Sequence, residues 1–218
     1  MDCGSPVYAQ YDNMDEMKQP EQRGRDARDT KGRLIVITGP SGVGKSTIVR
    51  RVLAETGIEY SVSVTTRPPR PGEQDGREYR FVDRASFDRM AAEGALLEHA
   101  QVFGHGYGTP SGPVRRALQE GRPMLLEIDV QGGLQVHQKM PQATFILVLP
   151  PGDEELKQRL RGRGTEDPPA AARRLTKARQ EIDAARRSGA YTYTVINDTL
   201  DDAVRQVIAI INQERKAK

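Results

Sequence analysis

Apolar residues along the chain fall into two patterns. Short unbroken runs rich in Val, Ile and Leu predict buried strands at Arg33-Leu-Ile-Val-Ile-Thr38, Tyr60–Thr65, Pro123-Met-Leu-Leu-Glu-Ile-Asp129, Ala143-Thr-Phe-Ile-Leu-Val-Leu149 and Tyr193–Asn197. The continuous apolarity of residues 143–149 predicts a strand covered on both faces. Longer mixed segments predict helices: Gly44–Glu55 stopped by Thr56-Gly57, Asp83–Glu93 with Gly94 behind it, and Pro110–Glu120 ended by Gly121. A helix capped near Asp153, one from Asp167-Pro168 to before Gly189, and Leu200 to about Glu214 complete the set. Strands alternating with helices imply an α/β fold, a parallel sheet wrapped by helices on both faces.

Two stretches break the alternation, and one precedes it. Residues 63–112 form an insertion, in which Arg67-Pro-Pro-Arg-Pro-Gly72 is neither helix nor central strand because its prolines lack amide donors and hold φ. Residues 159–175 form a short arginine-rich lid, leaving a core of 32–62, 113–158 and 176–218. Residues 1–31 have no apolar run and read as a disordered polar tail. That tail fits neither a secretory signal nor a transit peptide. No segment approaches the length of a membrane span. The one cysteine, Cys3, lies in the tail and fits a reducing compartment, so a cytoplasmic location is expected.

Charge adds little until it is divided. The whole chain carries +3, but residues 1–31 hold five Lys/Arg against seven Asp/Glu, so the remainder is at +5. A modestly basic domain suits phosphorylated small molecules or nucleic acid.

Gly39-Pro-Ser-Gly-Val-Gly-Lys-Ser46 resolves the choice in favour of a nucleotide. It matches G-x-x-x-x-G-K-[ST] between a buried strand and a helix, the setting in which the pattern cradles phosphate. Backbone N–H groups from Gly39, Pro40, Ser41, Gly42, Val43, Gly44 and on to Thr47, less the proline, would face the β-phosphate at a helix N-terminus. Lys45 would bridge the β- and γ-phosphates, and Ser46 would offer its hydroxyl to Mg2+. Asp129, at the C-terminal edge of its strand, has three readings: water-mediated contact with Mg2+, contact with a second substrate, or a solvated strand-end acid.

A phosphate loop leaves GTPase, ATPase and small-molecule kinase open. Asp129-Val-Gln-Gly132 matches the short D-x-x-G of GTPases, but no N-K-x-D guanine box occurs in the chain. The insertion carries a more specific set: Ser61-Val-Ser-Val-Thr-Thr-Arg67-Pro-Pro-Arg70-Pro-Gly72, Glu78-Tyr79-Arg-Phe81, Leu97-Glu98-His99-Ala100 and Tyr107-Gly-Thr109, followed by Glu127-Ile-Asp-Val-Gln-Gly132. In this order, with the phosphate loop and the Arg161-Gly-Arg-Gly164 segment, these motifs closely resemble guanylate kinases over roughly residues 33–215.

The resemblance implies a P-loop nucleoside monophosphate kinase fold that phosphorylates GMP, and dGMP, with ATP and Mg2+. The insertion becomes a GMP-binding subdomain. In that family the positions matching Arg67, Arg70, Tyr79 and Tyr107 hold the GMP phosphate, and those matching Ser63, Glu98, Thr109 and Asp129 hold guanine. The chemistry agrees. A phosphate dianion suits two guanidinium forks on a proline-stiffened loop. Guanine presents ring N–H and exocyclic NH2 donors on one edge, which an ionised Glu98 can accept; adenine has a bare ring nitrogen there, and a site built to pair with donors rejects ligands that lack them by roughly 10⁴. By the same resemblance Arg159, Arg163 and Arg174 close over the triphosphate, and Asn197 lies where the family contacts adenine.

Phosphoryl transfer to a phosphate needs alignment and charge neutralisation more than proton removal, because the acceptor's second pKa is about 6. No role therefore falls to His99, His105 or His137. Two other readings have definite discriminators. A non-catalytic scaffold module would have shed the phosphate loop or the arginines, and a sugar-phosphate kinase would have no use for Glu98 with the Ser63 and Thr109 hydroxyls. Expected partners are ATP and GMP, with neither nucleic acid nor membrane.

Overall fold

The computed structural model describes residues 32–102, 104–161 and 168–216. The tail, Arg163 and the Gly162–Asp167 segment lie outside them. In chain order the elements are β1 (Leu34–Thr38), α1 (Lys45–Thr56), β2 (Glu59–Tyr60), β3 (Val64–Thr65), β4 (Arg80–Phe81), α2 (Arg84–Ala92), β5 (Leu96–Val102) and β6 (His105–Pro110). There follow α3 (Ser111–Gln119), β7 (Met124–Glu127), α4 (Val130–Lys139), β8 (Thr144–Leu149), α5 (Asp153–Arg161), α6 (Pro168–Ser188), β9 (Tyr193–Ile196) and α7 (Leu200–Lys216).

The main sheet runs β2-β7-β1-β8-β9, every pair parallel. Alternation along β1 divides the core. Ile35 and Ile37 point to a layer with Ile48, Val52, Val204 and Val207 from α1 and α7, while Leu34 and Val36 point to the opposite layer with Val114, Ala117 and Val136 from α3 and α4. Every residue of β1 and β8 is buried, as strands with helices on both faces require. A third cluster, Leu147, Leu149, Leu156, Leu160, Ala178 and Ile182, seats α5 and α6.

The stretch read as one strand over Tyr60–Thr65 is two. Glu59 and Tyr60 pair with β7, whereas Val64 and Thr65 pair with β4 and β6 in a second sheet of order β4-β3-β6-β5. The backbone changes partner between Ser61, whose N–H donates to the Leu125 carbonyl, and Ser63, whose carbonyl accepts from Arg80. The second sheet has its own small core of Val64, Phe87 and Leu96. Asp83 caps α2 by accepting from the Ser86 N–H at 2.7 Å, as expected of that residue.

Register brings the functional ends together. Ile37 lies opposite Glu127 and Thr38 opposite Leu147, so the chain leaves β1 and β7 side by side at the same edge of the sheet. Ligands of open parallel sheets collect at that edge.

Candidate active site

The loop after β1 turns into α1 through Gly44, which has φ 96° and leaves no room for a side chain: a Cβ there would stand 2.6 Å from Asn197 Nδ2. Asn197 is buried, and its Nδ2 donates to the Val43 carbonyl at 2.7 Å. The structure thus sets Asn197 against the back of the phosphate loop, outside the residues lining the cleft. Arg159 Nη1 donates to the same carbonyl at 3.5 Å and Nε to Glu155 at 3.0 Å, so α5 also holds the loop from behind. Lys45 Nζ donates to the carbonyls of Gly39 and Pro40 at 2.6 and 3.0 Å.

A cleft of about 310 Å³ opens in front of the loop. Ser41, Gly42, Gly44, Lys45, Ser46 and Thr47 line one side, and Ser63, Arg67, Arg70, Tyr79, Glu98 and Tyr107 line the other. Asp129 and Arg174 also line it, while Gly39, Pro40, Val43 and Thr109 are outside the lining.

On the acceptor side, parity along β5 decides Glu98. A register shift separates Leu96 from Glu98, and beyond it alternation leaves His99 and Gln101 exposed while Glu98 and Ala100 face the cleft, with Glu98 4% exposed. Its Oε1 accepts from the Thr109 hydroxyl at 2.6 Å. Burial above all pushes its pKa up to about 7, with the Thr109 hydroxyl and Lys139 opposing the rise and nearby Asp129 adding to it. Its other oxygen packs against α4 at Gly132, where a Cβ would come within 2.5 Å of Oε2. Asp129 caps α4, accepting from the Gly132 N–H at 2.7 Å. The D-x-x-G string is thus a helix cap whose glycine admits Glu98.

Arg67 lies under two rings, its Cζ 5.5 Å from the Tyr79 centroid and 5.9 Å from Phe81. Burial works against its charge, but hydrogen bonds to Glu73 and Tyr107 leave its pKa above the ordinary value. Tyr79 and Tyr107 meet edge to face at 5.8 Å. Burial, with Glu127 and Tyr107 adding to it, holds the Tyr79 phenol up at about 12, so it stays a donor at neutral pH.

Glu127 and three residues of α6 also line the cleft and carry no role from their sequence motifs. Glu127 Oε1 accepts from the Ser46 hydroxyl at 2.6 Å, and desolvation raises its pKa against the pull of Ser46, Lys45 and Arg50. Lys177, Ala178 and Glu181 join Arg174 on the cleft face of α6. Their spacing from Arg174, at i+3, i+4 and i+7, is the signal that could have found them. Among the described residues the buried Glu181 Oε2 has no hydrogen-bond partner, and desolvation raises the pKa of that carboxyl.

A parallel sheet whose first strand feeds a phosphate loop, facing a small second sheet across one cleft, defines a P-loop kinase of the nucleoside monophosphate type. Residues 31–214 match the sequence profile described as guanylate kinase. The chain is 50% identical over 186 residues to a guanylate kinase of Thermus thermophilus, covering 85% of this chain and 83% of the relative. It is 47% identical over 189 residues to that of Deinococcus radiodurans, covering 86% and 78%. The crystal structure of guanylate kinase from Anaplasma phagocytophilum superposes with a TM-score of 0.72 at 32% identity, over 87% of this chain and 89% of that one. The chain belongs to the guanylate kinase family.

Proposed function

We propose that the cleft divides the reaction between its two walls, the phosphate loop taking ATP and the second sheet taking GMP. As a guanylate kinase, the chain is an ATP-dependent phosphotransferase acting on GMP. The observation that carries the division is the single cleft in which Lys45 and Ser46 face Arg67, Arg70, Tyr79 and Glu98.

A non-bridging oxygen of the GMP phosphate attacks the γ-phosphorus of ATP. The bond from that phosphorus to the β,γ-bridging oxygen breaks, its electron pair leaves with ADP, and no proton need move. The backbone N–H groups of residues 39–47 other than Pro40, together with Lys45, hold the donor. Arg67, Arg70, Tyr79 and Tyr107 hold the acceptor phosphate, and Ser63, Glu98, Thr109 and Asp129 the guanine. Arg159, Arg163 and Arg174 offset the charge gathered in transfer; Arg174 lines the cleft, while for Arg159, which holds the loop from behind, and for Arg163 the support is the family motif. Asn197 contributes by seating the loop under the adenosine side.

ATP-dependent kinases of this family use a metal–nucleotide complex, and Mg2+ is the ion proposed here. The fit rests on the hard oxygen donors at the loop: the Ser46 hydroxyl held by Glu127, with Asp129 on the same rim. When bound, such an ion would neutralise charge that develops on the phosphates during transfer. Residues 63–112 and 159–175 are taken as the GMP-binding and lid segments. No helix among the described residues is long and apolar enough to cross a membrane, and a cytoplasmic location is proposed.

The test is incubation with Mg-ATP and, separately, GMP, AMP, CMP and UMP, following ADP and the diphosphate. GDP formed rapidly, with the other acceptors near background, is the expected result. GMP binding without turnover would sink the catalytic reading and favour a scaffold module.

A further inference from the structure

Glu73 has no part in the scheme above, yet its carboxylate ties both arginines of the basic loop together. Arg67 Nη2 donates to its two oxygens at 2.9 and 3.0 Å, and the Arg70 backbone N–H donates to Oε2 at 2.7 Å. The Glu73 N–H in turn donates to the Arg70 carbonyl at 3.0 Å, closing a turn over Pro71 and Gly72. Gly72 has φ 85°, and proline followed by such a glycine is the sequence of a type II turn. The turn carries Glu73 back over the loop it follows. The side chains of the pair are only 10% and 16% exposed for Arg67 and Glu73.

We infer that Glu73 is a positioning residue for the acceptor phosphate, holding Arg67 and the Arg70 backbone in their binding geometry before GMP arrives. This rests on the assignment of those arginines to the GMP phosphate. The prolines stiffen the backbone of the loop but place no restraint on the χ angles of Arg67. Those torsions are held instead by the Glu73 carboxylate, by the Pro68 carbonyl, which accepts from Nη1 at 2.7 Å, and by the rings of Tyr79 and Phe81. A guanidinium already ordered loses less freedom when a ligand binds.

A carboxylate bonded to Arg67 is also a rival for the phosphate, and the geometry argues against rivalry. Both Glu73 oxygens fall on the single nitrogen Nη2, so the pair is not the two-nitrogen fork that phosphate prefers. A guanidinium has five N–H donors, and the bonds to Glu73, Pro68 and Tyr107 leave at least one for a ligand.

The experiment compares GMP with guanosine, which has the same base and ribose but no phosphate. Calorimetry on wild type, Glu73→Ala and Glu73→Gln gives both affinities, and steady-state kinetics gives KM for GMP and ATP. Glu73→Ala is expected to weaken GMP about tenfold and leave guanosine and the KM for ATP unchanged. Glu73→Gln, which keeps one acceptor oxygen, is expected to fall between. Tighter GMP binding in Glu73→Ala would overturn the inference in favour of competition. An equal loss for GMP and guanosine would overturn it in favour of a general role in folding the second sheet, and no change would remove Glu73 altogether. If Glu73→Ala does not fold, the near-isosteric Glu73→Gln carries the same comparison. The underlying site assignment fails separately, if wild type binds guanosine as tightly as GMP.

Discussion

Glu98 is both the most deeply buried acid of the cleft and the residue proposed to choose guanine, and the two facts conflict near neutral pH. Its carboxyl, pushed up to about 7 by burial, must be ionised to accept from the guanine edge. Guanosine binding is therefore expected to weaken as pH falls below about 7, and the Glu98→Gln variant should lack that dependence; guanosine is the probe because the GMP phosphate itself titrates near 6. Stability runs the other way. The folded state keeps the Glu98 proton to about pH 7 while an ordinary carboxyl releases it near 4.5, so this group's contribution to stability falls as pH rises through that window. Denaturant titrations at pH 5 and pH 8 should show a smaller difference for Glu98→Gln than for wild type. Leaving the guanine donors poorly matched in that variant costs about 1–3 kcal/mol, or roughly 5–150-fold in kcat/KM for GMP, with KM for ATP little changed. Gly132→Ala drives a methyl into Glu98 Oε2 and, through misplacement of that carboxylate, is expected to cost on the order of 10²-fold in kcat/KM for GMP. Retention of full activity would show that Glu98 can yield at no cost.

At the scale of elements, the insertion stands on a separate core, and its failure should be separable from that of the main sheet. Phe87, 1% exposed, joins α2 to β3 and β5. Phe87→Ala should cost about 3–5 kcal/mol locally; the expected result is lost GMP binding with an ATP analogue still bound, and equal loss of both would show one cooperative unit. Elements with strong local signals are legible in the sequence. β1 and β8 are unbroken apolar runs, and α2 has its Asp83 cap and Gly94 stop. β5, β6 and α4 are not legible in the same way. β6 is His-Gly-Tyr-Gly-Thr-Pro and α4 opens Val-Gln-Gly-Gly, compositions that locally oppose strand and helix. Pairing with β5 makes the one a strand, and the Asp129 cap starts the other.

Across the whole domain, the proposed function asks two walls built on different supports to meet around a polyphosphate and exclude water. The radius of gyration by small-angle scattering is expected to fall when GMP and a non-hydrolysable ATP analogue are both present, and an unchanged value would count against closure. The phosphate loop and the basic proline-stiffened loop stand out in contiguous residues, glycines ahead of a lysine and arginines between prolines, whereas Glu98 is marked only by the resemblance to guanylate kinases. The partners those residues take are not legible. Ser46 meets Glu127 across 81 positions, Asn197 reaches Val43 across 154, and Glu181 enters the cleft from a helix whose other faces are solvated or packed. Local sequence sets what a residue can do, because conformation and chemistry are properties of short segments. Which residues share a cavity, and how burial then moves their charge, depends on strand order and register, and those arise only when distant segments pack.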